Sequence, residues 1–425
     1  EKAAADHGLQ IVSFGWRGED LWIDEIMPRA TGQVLSLFWR DVELKPFELP
    51  LIGEFQALNA LAAAAICLSL GMDVDQVMDG LSKLKPVKGR LELVGKTEAG
   101  AGVSGGVDAT TGAPVYSLYG RSKKPTQAQL RGLDALVFDM QDVGARFYTY
   151  ISTMGYAMQA AAEADIPFVV LDRPNPIGDR VEGFLMEPAH ESFVGLFRIP
   201  VTHGLTVGEL ARMIVGEGLI GGVRDLDLRV VEMAGYARGM AWEDAGLPWV
   251  PPSPNIPDVE TARVYPGTAL FEGTTASEGR GTRVPFTHVG APWADADALA
   301  AELNGAGLAG VRFEPARFTP VDLPGQATNP KWEGREIGGV RLIVTDPEAF
   351  LPLATGVYVV NAIYRQAGSS ARRDFFKADW MAKLTGSHRL RRALQSGTPP
   401  ADVVAQWRTE AALFDQTAAP YRLYD

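Results

Sequence analysis

The stretch Phe138-Asp-Met-Gln-Asp-Val-Gly-Ala-Arg-Phe-Tyr-Thr-Tyr-Ile-Ser-Thr153 joins a predicted buried strand to a predicted helix. Leu133–Asp139 is an apolar run typical of a buried strand, and apolar residues recur at helical spacing over Arg146–Ala164. A second strand is predicted over Phe168–Leu171. A strand, a helix and a strand in this order indicate a βαβ unit, and hence an α/β fold around a mostly parallel sheet.

Polar side chains follow both predicted strands at the point where each strand ends. They are Asp139, Gln141, Asp142 and Arg146 after the first strand, and Asp172, Arg173 and Asn175 after the second. Because ligands bind at the carboxyl edge of open α/β sheets, the two clusters indicate a site for a polar ligand. Structural roles stay open, since Asp142 could cap the following helix and Asp172 with Asn175 could hold the Pro-rich turn.

A third polar segment opens another predicted helix. Thr206 and Glu209 have the spacing of a capping box, in which each side chain satisfies a free backbone N–H, so Glu209 is interpreted as structural. His203 stands just before a glycine outside that helix, where it could either reach a ligand or pack in the interior.

Glycine and proline dominate the last polar region, which contains Asn255, Glu272, Glu278 and Arg280. Such residues fix unusual backbone geometry around two carboxylates and a guanidinium. A loop of this composition suits anion or sugar recognition, although a tight turn with an internal Arg–Glu pair would have a similar sequence.

Composition excludes several classes of function. The chain has 425 residues, which predicts two or three domains, and its net charge of −12 argues against general binding to nucleic acid or anionic membrane. The basic patches Arg372–Lys377 and Arg389–Arg392 are interpreted as solvated helix faces. The single cysteine, Cys67, cannot form an internal disulfide or a cysteine-built zinc site, and no metal or cofactor is expected. No apolar run has the length of a membrane span, and no signal-peptide pattern indicates a compartment.

Seven ordered segments resemble the exo-β-N-acetylmuramidase family, whose members remove N-acetylmuramic acid from the non-reducing ends of peptidoglycan fragments. The segments are Asp108–Gly120, Phe138–Thr153, Leu171–Pro176, His203–Ala211, Pro252–Asn255, Ser277–Thr282 and Tyr421–Tyr424. The resemblance implies a Rossmann-like catalytic domain over residues 107–285, a smaller α+β auxiliary domain over residues 286–425, and muropeptides as substrates.

Glycoside hydrolysis ordinarily uses two carboxyl groups, and the resemblance supplies candidates for them. Glu278 is the first catalytic candidate, followed by Asp139 and Asp142, with His203 to protonate or orient. The candidates for substrate binding are Gln141, Arg146, Tyr148, Asp172, Arg173, Asn175, Asn255 and Arg280. Arg146, Arg173 and Arg280 are the expected partners of the lactyl carboxylate of muramic acid, because a guanidinium binds a carboxylate in a fork. Asp139, Asp172, His203, Asn255 and Glu278 are expected to converge on one cleft.

The first hundred residues resemble a different family. Leu51–Ala65 and Leu84–Val94 match, in order and spacing, the end of the central ATPase domain of Mur ligases, most closely the UDP-N-acetylmuramoyl-tripeptide synthetases. No Gly-x-x-x-x-Gly-Lys-Ser/Thr loop for ATP phosphates occurs in the chain. We therefore interpret residues 1–98 as a Mur ligase remnant without ligase activity, joined through a Gly- and Ala-rich junction over residues 99–106.

The resemblance to the muramidases breaks down at one place. The family opens with a strand region and a Pro-Glu-His-Gly motif whose glutamate is the leading catalytic candidate, and the ligase-like stretch occupies that place here. Three functions therefore stay open. They are an impaired muramidase, a non-catalytic muropeptide-binding or inactive fusion protein, and a UDP-N-acetylmuramoyl-tripeptide synthetase, the last disfavoured by the missing phosphate loop.

Overall fold

The computed structural model describes residues 13–16, 20–29, 32–40, 42–50, 54–83, 106–107, 113–119 and 122–425. These residues fall into two compact units, one of residues 13–83 with 106–116 and the other of residues 117–425. Each unit has its own cluster of buried hydrophobic side chains. Nearly all of the predicted junction lies outside the described residues, so its position stays a prediction.

The first unit is a small sheet with two helices. Its strands are β1 Phe14–Gly15, β2 Leu21–Arg29, β3 Gly32–Trp39, β4 Val42–Glu43 and β5 Phe47–Leu49, with a short hairpin of β6 Gly106–Val107 and β7 Pro114–Val115. β1 pairs with β2 in parallel, and β3 pairs antiparallel with β2, β4 and β5. Leu35 and Leu37 alternate with half-buried neighbours along β3, which is the pattern of a sheet with one buried face.

The two helices of this unit are α1 Glu54–Ser69 and α2 Val74–Ser82. α2 begins where it does because the side chain of Asp73 accepts a hydrogen bond from Gln76 N. Val77, Met78 and Leu81 form its buried face, and they pack in the core of the unit.

The second unit contains the predicted parallel sheet. β8 Leu136–Phe138, β9 Phe168–Leu171 and β12 Leu228–Val231 lie in the order β12-β9-β8, and both pairings are parallel. The two strands predicted from their apolar runs are therefore confirmed. The polar clusters after β8 and β9 consequently lie at the same edge of the sheet.

The helix after β8 begins later than predicted. α4 spans Tyr150–Glu163, because Ala145 forms a bridge with Thr202 and Arg146 N donates to Val201 O, which holds residues 145–149 out of the helix. The next long helix, α5 Val207–Glu217, has the predicted capping box: Thr206 and Glu209 each satisfy the other's backbone N–H.

The C-terminal part of the second unit is α+β. Its strands β13 His288–Ala291, β14 Val311–Phe318 and β15 Ile337–Val344 form an antiparallel sheet in the order β13-β15-β14. The other α-helices and strands of this unit, in chain order, are α3 Gln127–Leu130, β10 Val181–Glu182, β11 Thr202–His203, α6 Val259–Thr268, α7 Ala296–Gly305, α8 Pro352–Gln366, α9 Ser369–Asp374, α10 Ala378–Thr385, α11 Arg389–Gln395 and α12 Pro400–Ala418.

Two close approaches hold the halves of this unit together. α6 and α8 cross at Gly267 and Gly356, where a Cβ built on Gly356 would lie 2.4 Å from the Gly267 Cα. The chain end returns to the parallel sheet: Leu423 N donates to Glu209, and the Tyr424 hydroxyl donates to Asp172 at 2.7 Å. None of the described helices has the length and apolar composition needed to cross a membrane.

Candidate active site at the carboxyl edge of the parallel sheet

Asp142 lies in the loop after β8 and is almost completely buried. One carboxyl oxygen, Oδ2, accepts a hydrogen bond from Gly144 N at 2.7 Å, whereas Oδ1 has no hydrogen-bond partner. Burial raises the pKa of this carboxyl to about 7, although the backbone N–H groups of Gly144 and Val143 favour the ionised form. Asp142 can therefore hold or release a proton near neutral pH, which is the requirement for a general acid or base. The alternative role as a helix cap is wrong, because α4 begins eight residues later.

Gln141 and Asn175 position the loop that carries Asp142. Gln141 Nε2 donates to Asp142 O at 2.8 Å and to Pro174 O at 2.9 Å, while its Oε1 atom has no partner. Asn175 Nδ2 donates to Leu205 O, and its Oδ1 accepts from Ile177 N. Gly144 is required beside it, because its φ is +75° and a Cβ there would lie 2.3 Å from Asn175 Oδ1.

His203 lies on the same edge and is 1% exposed. Its Nδ1 accepts a hydrogen bond from Leu205 N at 3.3 Å, so the neutral ring carries its proton on Nε2, and Nε2 has no partner. Burial, assisted by the nearby Arg146 charge, lowers the pKa of His203 to about 4. The ring is therefore neutral at physiological pH and can donate one hydrogen bond. The turn that carries His203 is tied to Asn175, because Asn175 Nδ2 donates to Leu205 O. Asn175 in turn lies against Gly144 in the loop that carries Asp142. We call Gln141, Asp142, Asn175 and His203 the edge cluster.

Asp172 is placed at the edge as expected, but its oxygens are already occupied. They accept hydrogen bonds from the Thr206 and Tyr424 hydroxyls and from the backbone N–H groups of Arg173 and Gly208. Four donors leave little capacity for a substrate, so the geometry favours a role in anchoring the start of α5. Burial raises the pKa of Asp172, and these hydrogen bonds oppose that effect.

Asp139 and Arg173 pair with each other at the surface. Arg173 Nε donates to Asp139 Oδ1 at 2.8 Å, and both side chains are more than one third exposed. The pair is accessible to a ligand. Because Asp139 and Arg173 already neutralise each other, a ligand would have to compete with this ion pair.

Arg146 and Tyr148 are buried, contrary to the expectation that they bind substrate. The Arg146 guanidinium donates to the backbone oxygens of Phe184, Ile199 and Leu384 at 2.5–2.9 Å, and the residue is 0% exposed. Burial lowers its pKa to about 9. Tyr148 packs edge-to-face with Tyr150 and Tyr265 in the same interior. Both residues therefore hold the fold together, and we leave them out of the site.

Glu278 belongs to a second group of charges, the ion-pair cluster of Glu272, Glu278, Arg280 and Lys331. Glu278 is 5% exposed and accepts from Lys331 Nζ at 2.8 Å, while Arg280 binds Glu272 at 2.9 Å and lies 4.0 Å from Glu278. Burial alone would raise the pKa of Glu278, but Lys331 and Arg280 outweigh it and hold the pKa below its usual value. Glu278 is therefore ionised and cannot act as a proton donor near neutral pH.

Asn255 lies in a third position, in the Pro-rich loop before α6. Its Nδ2 donates to Gln326 O at 2.8 Å, and its buried Oδ1 has no partner. The Tyr150 hydroxyl fixes the loop by donating to Pro252 O at 2.6 Å.

The described residues show no hydrogen bond or ion pair between Glu278 and Asp139, Asp142, Asp172, His203 or Asn255. Near the ion-pair cluster, Tyr148 contacts Tyr265, and Tyr265 contacts Phe286, over which the Arg280 guanidinium lies. The convergence of these five residues on one cleft stays a prediction.

Lys331 was missed by the sequence analysis. It lies 53 residues after Glu278 in a loop without a recognisable motif, so only the tertiary fold brings the two together. In the described part of the chain, no group of three His, Cys, Asp or Glu side chains could hold a metal ion.

Comparison with known proteins divides the chain in two. The family descriptions "Exo-beta-N-acetylmuramidase NamZ, N-terminal" and "C-terminal" match residues 87–260 and 263–424, and "Mur ligase middle domain" matches residues 1–67. The peptidoglycan β-N-acetylmuramidase NamZ of Bacillus subtilis strain 168 is 44% identical over 331 residues, which cover 78% of this chain and 77% of that protein.

A solved structure and a curated ligase also resemble parts of the chain. A crystal structure of a DUF1343 family protein from Bacteroides fragilis is 36% identical, with a TM-score of 0.70 over 75% of this chain and 82% of that chain. The UDP-N-acetylmuramoyl-L-alanyl-D-glutamate–2,6-diaminopimelate ligase of Chelativorans sp. strain BNC1 is 39% identical over 101 residues, which are 24% of this chain and 21% of the ligase. The chain thus spans about a fifth of that ligase's length.

Proposed function

Because the chain belongs to the exo-β-N-acetylmuramidase family, we propose that it acts on peptidoglycan fragments and releases N-acetylmuramic acid from their non-reducing ends. The observation that carries this proposal is the 44% identity to the Bacillus subtilis enzyme over 331 residues. Both resemblances seen in the sequence, to the muramidases and to the Mur ligases, are confirmed. The chain holds only about a fifth of the ligase, so ligase activity is not proposed.

The geometry supports a revised assignment of roles. Asp142 is the proposed general acid, because its carboxyl combines a pKa of about 7 with an unpaired oxygen. His203 Nε2–H is proposed to donate a hydrogen bond to the sugar. The unpaired carbonyl oxygens of Gln141 and Asn255 are proposed to accept from sugar hydroxyl or amide groups. Glu278, our first candidate from sequence, is better suited to electrostatic stabilisation than to proton transfer.

We further propose that turnover is impaired while sugar binding is retained. Glycoside hydrolysis ordinarily needs a second carboxyl group. The resemblance to the muramidases implies a Pro-Glu-His-Gly glutamate upstream of Asp108, whereas this chain matches a Mur ligase domain over residues 1–67. This is the observation that keeps a non-catalytic binding protein as the second candidate function. General acid–base assistance contributes about 10²–10⁴-fold, which sets the size of the expected loss.

Chromophore release from a 4-nitrophenyl β-glycoside of N-acetylmuramic acid tests the proposal. The chain is compared with a form in which the family's amino-terminal segment replaces residues 1–106, and sugar affinity is measured in parallel. We expect turnover to be about 10²–10⁴-fold higher in the restored form, with similar affinity.

Two outcomes would count against the proposal in different ways. Equal turnover by the two forms would show that the glutamate motif is not needed. If neither form binds or cleaves the muramic acid glycoside, the assignment as a muramidase is wrong. The corresponding N-acetylglucosamine glycoside serves as the control for sugar specificity.

A further inference from the structure

The turn that carries His203 is held from outside by the side chain of Arg238. Arg238 Nη1 donates to Gly204 O at 2.9 Å, and Gly204 directly follows His203 in the chain. A larger residue would be strained at Gly204, because its φ is +65° and a Cβ there would lie 2.5 Å from Asp179 O. Arg238 therefore binds the turn at a point where the backbone is closely packed and takes a conformation that favours glycine.

Arg238 is itself fixed by Glu209, which is completely buried. Glu209 Oε1 accepts hydrogen bonds from Arg238 Nη2 and from Leu423 N, the second at 2.9 Å. Its Oε2 accepts from Thr206 N at 3.0 Å, so the capping box uses only one of the two carboxyl oxygens. Only 16% of the Arg238 side chain is exposed. Because a buried charge without a partner is strongly unfavourable, each member of this ion pair keeps the other in place.

The segment Tyr421–Tyr424, one of the seven that resemble the muramidases, ends beside this ion pair. Leu423 N donates to Glu209, and Arg238 N donates to Asp425 O at 2.9 Å. The main chain of residues 423–425 therefore contacts both members of the pair. This contact connects a motif without a role in the proposed site to the turn that carries His203.

The ring of His203 is bound to the same peptide group that Arg238 holds. In the described part of the chain, the only hydrogen bond of this ring is the one that Nδ1 accepts from Leu205 N at 3.3 Å, which is long. Leu205 N and Gly204 O belong to one peptide group, which is planar and stiff. Arg238 thus holds one end of the group whose other end binds the ring. A cation at the carbonyl also polarises the peptide and strengthens its N–H as a donor.

We propose that Arg238 is a positioning residue for His203. By holding the peptide group between Gly204 and Leu205, it keeps the proton of the neutral ring on Nε2, the atom that is proposed to donate to the sugar. Glu209 and residues 423–425 support Arg238 in turn. The inference rests on the proposed function, which gives Nε2–H its ligand, and it adds the residue that prepares this donor.

Arg224 offers a matched control at the other end of α5. Its Nη1 and Nη2 donate to Gly216 O at 3.2 Å and to Glu217 O at 2.9 Å, in the last turn of the helix. Both arginines therefore bind carbonyl oxygens at an end of α5, but only Arg238 binds the turn of His203. A role of Arg238 in folding alone predicts that Arg238→Met and Arg224→Met leave the His203 ring in the same state.

Nitrogen NMR of histidine-labelled protein at pH 7 reads that state, and His203→Leu identifies the signals of His203. The unaltered chain and Arg224→Met should both carry the ring proton on Nε2. In Arg238→Met, the ratio of the Nδ1–H form to the Nε2–H form should rise about three- to tenfold, the effect of weakening one hydrogen bond. Arg238→Lys retains a charged donor for Gly204 O and should reverse part of this change.

Two NMR outcomes would overturn the inference. One is a proton on Nδ1 in the unaltered chain, and the other is an unchanged His203 signal in Arg238→Met. Because this measurement needs no sugar, its result does not depend on the proposed function.

Calorimetric titration with N-acetylmuramic acid tests whether Arg238 acts on the sugar through His203. Arg238→Met should weaken binding about three- to tenfold, the usual effect of losing one hydrogen bond, whereas Arg224→Met should not. In the His203→Leu background, Arg238→Met should change the affinity by less than about twofold. Losses that simply multiply in the double variant would overturn the inference. If the NMR result is as expected but the unaltered chain does not bind the sugar, the proposed function is wrong and the hold of Arg238 on His203 stands.

Discussion

The edge cluster and the ion-pair cluster are both rich in acids, amides and basic groups, yet their bonding differs. In the edge cluster, Gln141 Oε1, Asp142 Oδ1 and His203 Nε2 are buried and have no partner. In the ion-pair cluster, Lys331 uses every N–H it has, and Glu278 is held ionised. A buried polar atom without a partner costs folding free energy, and a bound ligand is one way to satisfy it, whereas a satisfied hydrogen bond needs no ligand. The comparison therefore supports the proposal that the edge cluster carries the chemistry and that the ion-pair cluster mainly supports the fold.

Of the variants considered, Asp142→Asn should have the largest effect, and the quantity it changes is the turnover rate. Removing the titrating proton should lower hydrolysis of the muramic acid glycoside about 10²–10⁴-fold, measured in the form with the restored amino-terminal segment. At about pH 4, where Asp142 is protonated in the folded state, stability should change by less than about 1 kcal/mol, because the asparagine oxygen can still accept from Gly144 N.

Asp134→Asn is the matched control, because Asp134 is exposed just before β8 and should leave turnover unchanged. Full activity in Asp142→Asn would show that another group is the general acid. The proposed difference in role between the edge cluster and the ion-pair cluster would then be wrong.

Lys331→Met should have the next largest effect, and it acts on stability. Breaking a buried pair from one side costs about 3–5 kcal/mol, and we expect about 3 kcal/mol because one fifth of the Lys331 side chain is exposed. Denaturant unfolding measures the loss. Lys124→Met breaks the exposed pair with Glu163 and should cost less than about 1 kcal/mol. Similar losses in the two variants would contradict a supporting role for the ion-pair cluster.

The smallest expected effect is a dependence of folding stability on pH. It should come from Asp142 in the edge cluster. The pKa of Asp142 is raised to about 7, so the folded state binds a proton that the unfolded state has released above about pH 4. Asp142 therefore favours folding most at low pH, and this contribution is lost as pH rises towards 7. Relative to the unaltered chain, Asp142→Asn should gain about 2 kcal/mol between pH 5 and pH 7.

Thermal unfolding at several pH values measures this difference, in which the similarly raised pKa of Glu182 cancels because both proteins retain it. A difference that does not vary with pH would mean that Asp142 titrates normally, and would remove the reason for choosing it as the acid.

Local signals in the sequence predicted most of the fold. The strand Phe168–Leu171 follows from a short apolar run, and the capping box of Thr206 and Glu209 follows from its spacing, because both depend on neighbours in the chain. The start of α4 was predicted too early, since the bridge between Ala145 and Thr202 is a long-range contact.

The site was less predictable for the same physical reason. A guanidinium in a motif, such as that of Arg146, has the same sequence whether it meets a substrate or three backbone oxygens from distant segments. Lys331 carries no local signal, because its ion pair with Glu278 joins residues 53 positions apart. The residue types at the sheet edge could be predicted from the sequence. Which of their buried polar atoms lack a hydrogen-bond partner could not.

The hydrogen bond from Tyr424 to Asp172 joins residues 252 positions apart, and this separation has a consequence for biosynthesis. A ribosome adding about 5–20 residues per second needs roughly 10–50 s to advance from one to the other. Throughout that interval the nascent parallel sheet lacks the tyrosine that secures the turn after β9. The turn after β9 therefore gains this hydrogen bond only after the segment that carries Tyr424 has been synthesised.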